Sequence, residues 1–359
     1  MSDLYAPLVL LFVSSALTSY VATSIVRRGA QTIGLVDLPG ERKLHSTATP
    51  RLGGIAIIFG FGFPLLLMAA NEQAAVLVTK NLTYLFAVLA SGSLMVGLGV
   101  YDDLIGTNAA QKFAVQFAAA LILVAFGFQF EEISLAGQVF DLGILGTIAS
   151  VFWIVGVMNA MNFIDGMDSL ATVVALTIAA AFSVIAILRY DAFSLVIMIA
   201  LTGSLVGFYP WNKPPAKIFM GDTGALFIGL LLAAGSIAKP SKSPTALIIG
   251  GPILALALPV IDTLIVMRQR FRGPATPLGK RLARVFTADR NHIHHILVTR
   301  YGSVAKAILS IWLVTLLFAA AAVMTVVQAT KWIGYSSGAI ALLALFGLRY
   351  LPKKRARAE

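Results

Sequence analysis

Apolar runs of about 20 residues, each enough to cross a hydrocarbon core of about 30 Å, recur along almost the whole of this chain. Lipid offers the backbone no hydrogen-bond partners, so such a run crosses only as a helix that satisfies its own peptide groups. The pattern predicts spans near residues 4–26, 52–70, 83–100, 112–130, 142–161, 169–188, 192–210, 218–237, 246–267, 304–327 and 332–350. The expected fold class is therefore all-α, a polytopic integral membrane protein with about 11 transmembrane helices. Composition agrees, with 58% of the 359 residues hydrophobic and 12% charged, against about 45–50% and about 25% in a soluble domain. The first run follows Asp3 rather than a basic segment, precedes Arg27 and Arg28, and has no small-residue cleavage site. It is expected to be kept as a span rather than removed as a signal peptide.

Placing the basic residues on alternate sides tests the span count, because Lys and Arg concentrate in cytoplasmic loops. Of the 27, one side receives 22, including the eight from Arg268 to Arg300, and the other receives 5: Lys80, Arg189, Lys239, Lys242 and Lys331. A miscounted span would exchange the sides of every later loop and blur this asymmetry. The N-terminus is expected outside and the C-terminus in the cytoplasm. The net charge of +11 follows from this bias and from attraction to anionic headgroups, so no nucleic-acid partner is needed. No internal repeat is visible, and residues 1–359 read as one membrane-embedded domain with cytoplasmic loops near 27–51, 101–112, 159–168, 209–222 and 268–303.

With that orientation the polar clusters fall on one face. Asp102 and Asp103 end the third span, Asn162, Asp165 and Asp168 follow the fifth, Asn212 follows the seventh, and Asp222 opens the eighth. Ionisable groups at or in a span are costly and tend to mark function. Each also has a plainer reading. Asp102 and Asp103 can be a solvated helix end, and Asp222 a helix N-cap, although a glycine-flanked helix start also suits a bound anion. Asp165 and Asp168 are neighbours if their segment is helical, while Gly166 leaves a turn equally open. Five carboxylates on one face repel one another unless a cation joins them. Oxygen ligands favour Mg²⁺, with Mn²⁺ as the alternative, and Mg²⁺ usually combines one or two carboxylates with phosphate oxygens and water. No Walker sequence and no GxGxxG occurs, so ordinary ATP-binding architectures find no support.

His292, His294 and His295 lie in the last long loop. Three imidazoles so close in sequence do not easily converge on one zinc ion, and no HExxH partner is present. A solvated loop is one alternative. The favoured reading places them, with Arg281, Arg284 and Arg290, against pyrophosphate oxygens through charge-assisted hydrogen bonds.

Taken together, RKLHSTATPRLGG (Arg42 to Gly54), YDD (Tyr101 to Asp103), NFIDGMDSLA (Asn162 to Ala171), FYPWN with KIFMGDTGALFIG (Phe208 to Asn212, Lys217 to Gly229) and ADRNHIHHIL (Ala288 to Leu297) carry a family resemblance. The chain resembles the polyprenyl-phosphate N-acetylhexosamine-1-phosphate transferases of glycosyltransferase family 4, over roughly residues 35–300. His-Ile-His-His after Ala-Asp-Arg-Asn looks like the undecaprenyl-phosphate N-acetylglucosamine branch. The placement of Lys43 and His45 departs from the phospho-N-acetylmuramoyl-pentapeptide branch, which remains an alternative.

The resemblance implies transfer of a sugar phosphate from a UDP-amino sugar to undecaprenyl phosphate in the bacterial inner membrane, the first step of a cell-envelope polysaccharide, with a homodimer as the suggested assembly. It also implies a Mg²⁺ on Asp222, with Asp102 or Asp103 acting on the lipid phosphate or on the metal's position. Asn162, Asp165, Asp168, Asn212 and Phe219 would line the nucleotide pocket. Lys112 and the histidines would hold phosphates, beside Arg290, with Lys43 and His45 as further substrate contacts. One displacement or two steps through an aspartyl phosphate are both open. A secondary transporter is the rival class, since carboxylates in many-span proteins also relay ions.

Overall fold

The structure is a computed structural model and describes residues 2–38, 48–70, 81–135, 138–237, 250–272, 291–327 and 329–350. Its helices, in order, are α1 (Ser2–Thr32), α2 (Gly53–Ala69), α3 (Leu82–Leu104), α4 (Ala109–Ala125), α5 (Gly143–Ile164), α6 (Leu170–Leu188) and α7 (Ala192–Asn212). They continue with α8 (Gly221–Ile237), α9 (Gly250–Ala255), α10 (Ala257–Phe271), α11 (Ile293–Tyr301), α12 (Val304–Val326) and α13 (Lys331–Tyr350). Seven of these, α1, α3, α5, α6, α7, α12 and α13, are long and apolar enough to cross a membrane, and α2, α4 and α8 are shorter apolar helices. The protein is a multi-pass, all-α membrane protein.

Helix α8 is the axis of the bundle. Nearly every residue from Thr223 to Ile237 is buried, as expected of a helix that is apolar on all sides, and α2, α3, α5, α6 and α7 pack around it. Small residues let backbones approach where no water drives association. A Cβ on Gly54 would lie 2.1 Å from the Gly224 amide nitrogen, one on Gly99 2.3 Å from Thr223 Cα, and one on Gly229 2.7 Å from Met158 Cα. The start of α8 is thus held against α2 and α3 at near-contact distance. Outward faces carry large apolar side chains such as Leu10, Phe152 and Leu343, which lipid can cover.

Two departures from the sequence reading have local causes. The span expected at 246–267 is broken between α9 and α10, because Pro259 lacks an N–H and its ring obstructs the carbonyl of Ala255. The fourth helix stops at Ala125 rather than near 130, where Gly127 takes φ +90°. The chain then forms a small antiparallel hairpin, β3 (Glu132–Leu135) with β4 (Gln138–Asp141), while β1 (Val36–Asp37) pairs with β2 (Thr49–Pro50) ahead of α2.

Candidate active site at one end of the bundle

The carboxylates meet where α3 ends and α4 and α8 begin. Lys112 donates to Asp102 Oδ2 at 2.7 Å and to Asp222 Oδ2 at 2.5 Å, joining three helices through one ammonium. Asn108 and Gln111 form a capping box at the start of α4, which fixes the turn that carries Lys112. Thr107 donates to Asp102 through both its amide, at 2.7 Å, and its hydroxyl. Asp103, next in sequence, points elsewhere, as adjacent helical residues must. It accepts from the amides of Asp222 (3.0 Å) and Thr223 (3.1 Å) and from Thr223 Oγ1 (2.6 Å). Asp103 is therefore an N-cap lent to α8 by another helix. Gly221, at φ +72°, has its missing Cβ 2.6 Å from Asp103 Oδ2, so a side chain there would displace the cap.

The floor behind this cluster is a backbone pairing. Phe219 N–H donates to Pro50 O (2.8 Å), and the amides of Gly53 and Gly54 donate to Phe219 O (2.9 Å) and Met220 O (2.8 Å). Asn212 is buried with both ends of its amide in use: Thr172 Oγ1 donates to it at 2.6 Å, and it donates to Ile218 O at 3.0 Å. It fastens the 212–218 turn. Asp168 accepts from the Ala216 amide at 2.8 Å and ties the same turn to the segment after α5.

That segment leaves the helix at Asp165 and turns before α6, the turn alternative for Asp165 and Asp168. Asn162 is half-buried, and its carbonyl accepts from the Asp165 amide at 3.3 Å. Loss of water around Asp165, then repulsion from Asp222, Asp103 and Asp168, pushes its carboxyl well above the ordinary range. Part of Asp165 still faces open space, so the desolvation comes from the protein enclosing the cleft rather than from complete burial. Among the described residues, Lys112 is the one cation paired with these acids.

The histidine segment reaches the other side of this loop. His294 is buried, and its Nε2 lies 2.5 Å from where a Cβ on Gly166 would be. Among the described residues neither of its ring nitrogens has a hydrogen-bond partner. Burial, then the neighbouring imidazoles of His295 and His292, lowers its pKa to about 3, so it is neutral at physiological pH. His292 stacks on His294 at 5.9 Å, and His295 lies 4.3 Å from it. Asp102, Asp103, Lys112, Asp165, Asp222 and His294 thus gather at one end of the bundle, with Asn212, Asp168 and Phe219 building its floor. Lys43, His45 and Arg290, and with them Arg281 and Arg284, lie outside the described residues.

A Bacillus subtilis protein named as an undecaprenyl-phosphate N-acetylglucosaminyl 1-phosphate transferase is 33% identical over 328 residues, 91% of this chain and 87% of the relative. The profile of glycosyl transferase family 4 matches residues 85–239. The chain belongs to glycosyl transferase family 4. A decaprenyl-phosphate N-acetylglucosaminephosphotransferase of Mycolicibacterium smegmatis is also similar, at 33% identity over 85% of this chain and 79% of that one. The phospho-N-acetylmuramoyl-pentapeptide-transferase of Streptococcus pneumoniae matches a smaller part, at 32% identity over 69% of this chain and 73% of its own. The family 4 segment contains the carboxylates and Lys112, whereas the histidines lie beyond it.

Beyond that segment lies a second buried polar set, in which the expected site residue His292 is joined by three charged residues that were not expected at the site: Asp262, Arg270 and Arg349, all four nearly inaccessible to solvent. Asp262 is a lone carboxylate inside an expected span, which was itself a signal. Arg349 is one of the 22 basic residues that the charge asymmetry assigns to the cytoplasmic side, and no local pattern connects it with Asp262.

Proposed function

We propose that this protein transfers N-acetylglucosamine 1-phosphate, or a related N-acetylhexosamine 1-phosphate, from its UDP-sugar to undecaprenyl phosphate at the cytoplasmic face of the bacterial inner membrane. UMP is released, and the product is a polyprenyl-pyrophosphate-linked sugar. The observation that carries the reading is the Lys112 ammonium held between Asp102 and Asp222 at the capped start of α8, within a family 4 chain. Eleven spans, with the N-terminus outside and the C-terminus inside, complete the proposal and would place this end of the bundle toward the cytoplasm.

The donor set fits Mg²⁺. Among the described residues no three acids or imidazoles converge into a ready metal shell, but Mg²⁺ needs only one or two carboxylates when phosphates and water supply the rest. Repulsion from Asp222, Asp103 and Asp168 on Asp165 supports a cation among these acids. Asp222 would hold the ion, which would neutralise pyrophosphate charge.

Phosphoryl transfer depends chiefly on positioning and charge neutralisation. Asp103 fixes the start of α8 and so fixes Asp222. Lys112, orientated by Asp102, offers its ammonium to the incoming lipid phosphate. A lipid phosphate oxygen forms a bond to the sugar-linked phosphorus, the bond from that phosphorus to the bridging oxygen breaks, and UMP leaves with the electron pair. His294, neutral and unpartnered, has a ring N–H to give to a pyrophosphate oxygen. The floor of Phe219, Asn212 and Asp168 would seat the nucleotide.

The test is purified protein in detergent with undecaprenyl phosphate, MgCl₂ and a panel of UDP-amino sugars, following UMP and lipid-linked product with and without EDTA. The expected result is EDTA-sensitive UMP release matched by lipid product, with N-acetylglucosamine as the preferred donor. Preference for the muramoyl-pentapeptide donor would move the chain to the other branch, and no product from any donor would overturn the reading.

A further inference from the structure

The last helix reaches into the site. Arg349, near the end of α13, donates through Nη1 to Asp262 Oδ1 on α10 and through Nη2 to Asn291 O at 2.8 Å. The same Asp262 oxygen accepts from the Ile293 amide at 3.0 Å, the first N–H of α11. The other, Oδ2, lies 2.8 Å from His292 Nδ1. His292 is the N-cap position of α11 and makes no side-chain cap of its own. Asp262 supplies that cap from a different helix, with its charge at the positive end of the α11 dipole. At the far end of α11 the arrangement is reversed. Arg300 donates to Leu348 O through Nη1 and to Arg349 O at 3.3 Å through Nη2, covering carbonyls at the end of α13. Two arginines therefore fasten the C-terminal end of α13 to both ends of α11.

The orientation of His292 follows. Arg270 Nη2 lies 3.5 Å from His292 Nε2, and a guanidinium can only donate. Nε2 is thus the acceptor, Nδ1 carries the hydrogen, and Nδ1–H donates to Asp262. The Arg270 guanidinium also lies 5.9 Å over the Phe163 ring, and that ring lies 5.5 Å from His292. His292 stacks within 11° of parallel on His294, which rests against Gly166 beside Asp165.

We propose that Asp262 and Arg349 are positioning residues that set His294 against the 162–168 loop, so that the C-terminal helix is a working part of the active site. Neither touches substrate in this proposal, which rests on the transferase reading. Removing one partner of a buried charge pair leaves the other uncompensated, and misplacing a phosphate-binding group by a small distance costs rate.

The experiment uses full-length protein carrying Arg349→Met, Arg349→Lys, Asp262→Ala or Asp262→Asn. In the UMP assay, Arg349→Met and Asp262→Ala are expected to raise the KM for the UDP-sugar and lower kcat by about tenfold each, the loss of one charge-assisted hydrogen bond, with the lipid-phosphate KM unchanged. Arg349→Lys and Asp262→Asn should lie between these and the parent. A merely structural role would lower the active fraction and leave both KM values alone, and that pattern overturns the proposal. The chain has no cysteine, so His295→Cys is a single thiol reporter that works without turnover. Its maleimide labelling is expected to be slow in the parent and about tenfold faster when combined with Arg349→Met or Asp262→Ala. Equal labelling rates overturn the proposal. A parent that releases no UMP from any donor defeats the transferase reading alone, and the labelling rates then decide the clamp by themselves.

Discussion

The two charge clusters on either side of the 162–168 loop are built in opposite ways. On one side, among the described residues, Lys112 pairs with Asp102 and Asp222, Asp103 is taken up by the amides that open α8, and Asp165 feels burial and its acidic neighbours. On the other, one carboxylate, Asp262, is surrounded by Arg349, an imidazole and the start of a helix, with Arg270 beyond. Among the described residues those acids have one ammonium to pair with, and in the proposed function the remaining charge would be balanced by a metal-bound substrate. A carboxylate with every oxygen engaged has nothing left to offer a ligand and works as a fastener. Buried charge alone does not separate a site from a scaffold. Whether the charge is balanced within the protein does.

The comparison can be broken experimentally. The largest effect is expected for Asp222→Ala, with turnover falling about a thousandfold or more, as when a principal charge-stabilising group is removed, and with thermal stability kept. Near-parent turnover in purified Asp222→Ala would remove it from the acidic cluster's function. Asp262→Ala should do the reverse to the fold, costing about 3–5 kcal/mol because Arg349 is left buried and unpaired. Denaturation of the purified variant in detergent reads this directly, and an unchanged midpoint would make the two clusters alike. Gly166→Ala tests the loop between them. The new methyl cannot share space with His294 Nε2, and we expect about a tenfold loss of kcat, one displaced hydrogen bond, with little change in Tm.

Asp165→Asn sharpens the contrast through pH. The folded protein raises the pKa of Asp165, so the unfolded chain loses this proton first. The stability tied to it is fully present below the unfolded pKa of about 3.9 and is lost as pH rises toward the folded value. In EDTA, Asp165→Asn should therefore melt higher than the parent at pH 7, and the gain should vanish near pH 4. A lower Tm at pH 7 would mean the acids are balanced after all. The smallest effect is expected far from both clusters. Trp153→Phe removes the donation to Ser236 Oγ at 2.8 Å between α5 and α8, costing about 1 kcal/mol and leaving turnover unchanged.

Much of this was legible in the chain. Apolar length located the helices because lipid imposes one solution on the backbone, but the spans expected at 112–130 and 246–267 ran through Gly127 and Pro259, where the helices are interrupted. The acids were legible because charge at a helix end in a membrane protein is uncommon. Their division of labour was not. Asp102 and Asp103 look equivalent in sequence, and only the fold turns one toward Lys112 and the other toward the α8 amides. A one-dimensional pattern also cannot show how Asn212 is held, with Thr172 and Ile218 taking up both ends of its amide in the floor of the site. Arg349 and Asp262 are 87 residues apart, and neither carries a local signature of the other.

The glycine contacts at the start of α8 have a mechanical consequence. With Gly54 and Gly99 against its first turn, α8 has no clearance in which to rock or slide, so the anvil on which the phosphates meet does not take part in any stroke. A pump must spend part of each cycle moving its binding station from one side to the other. A fixed anvil spends none: in the proposed reaction the lipid comes to it along the plane of the bilayer, and the spent nucleotide leaves it for the water.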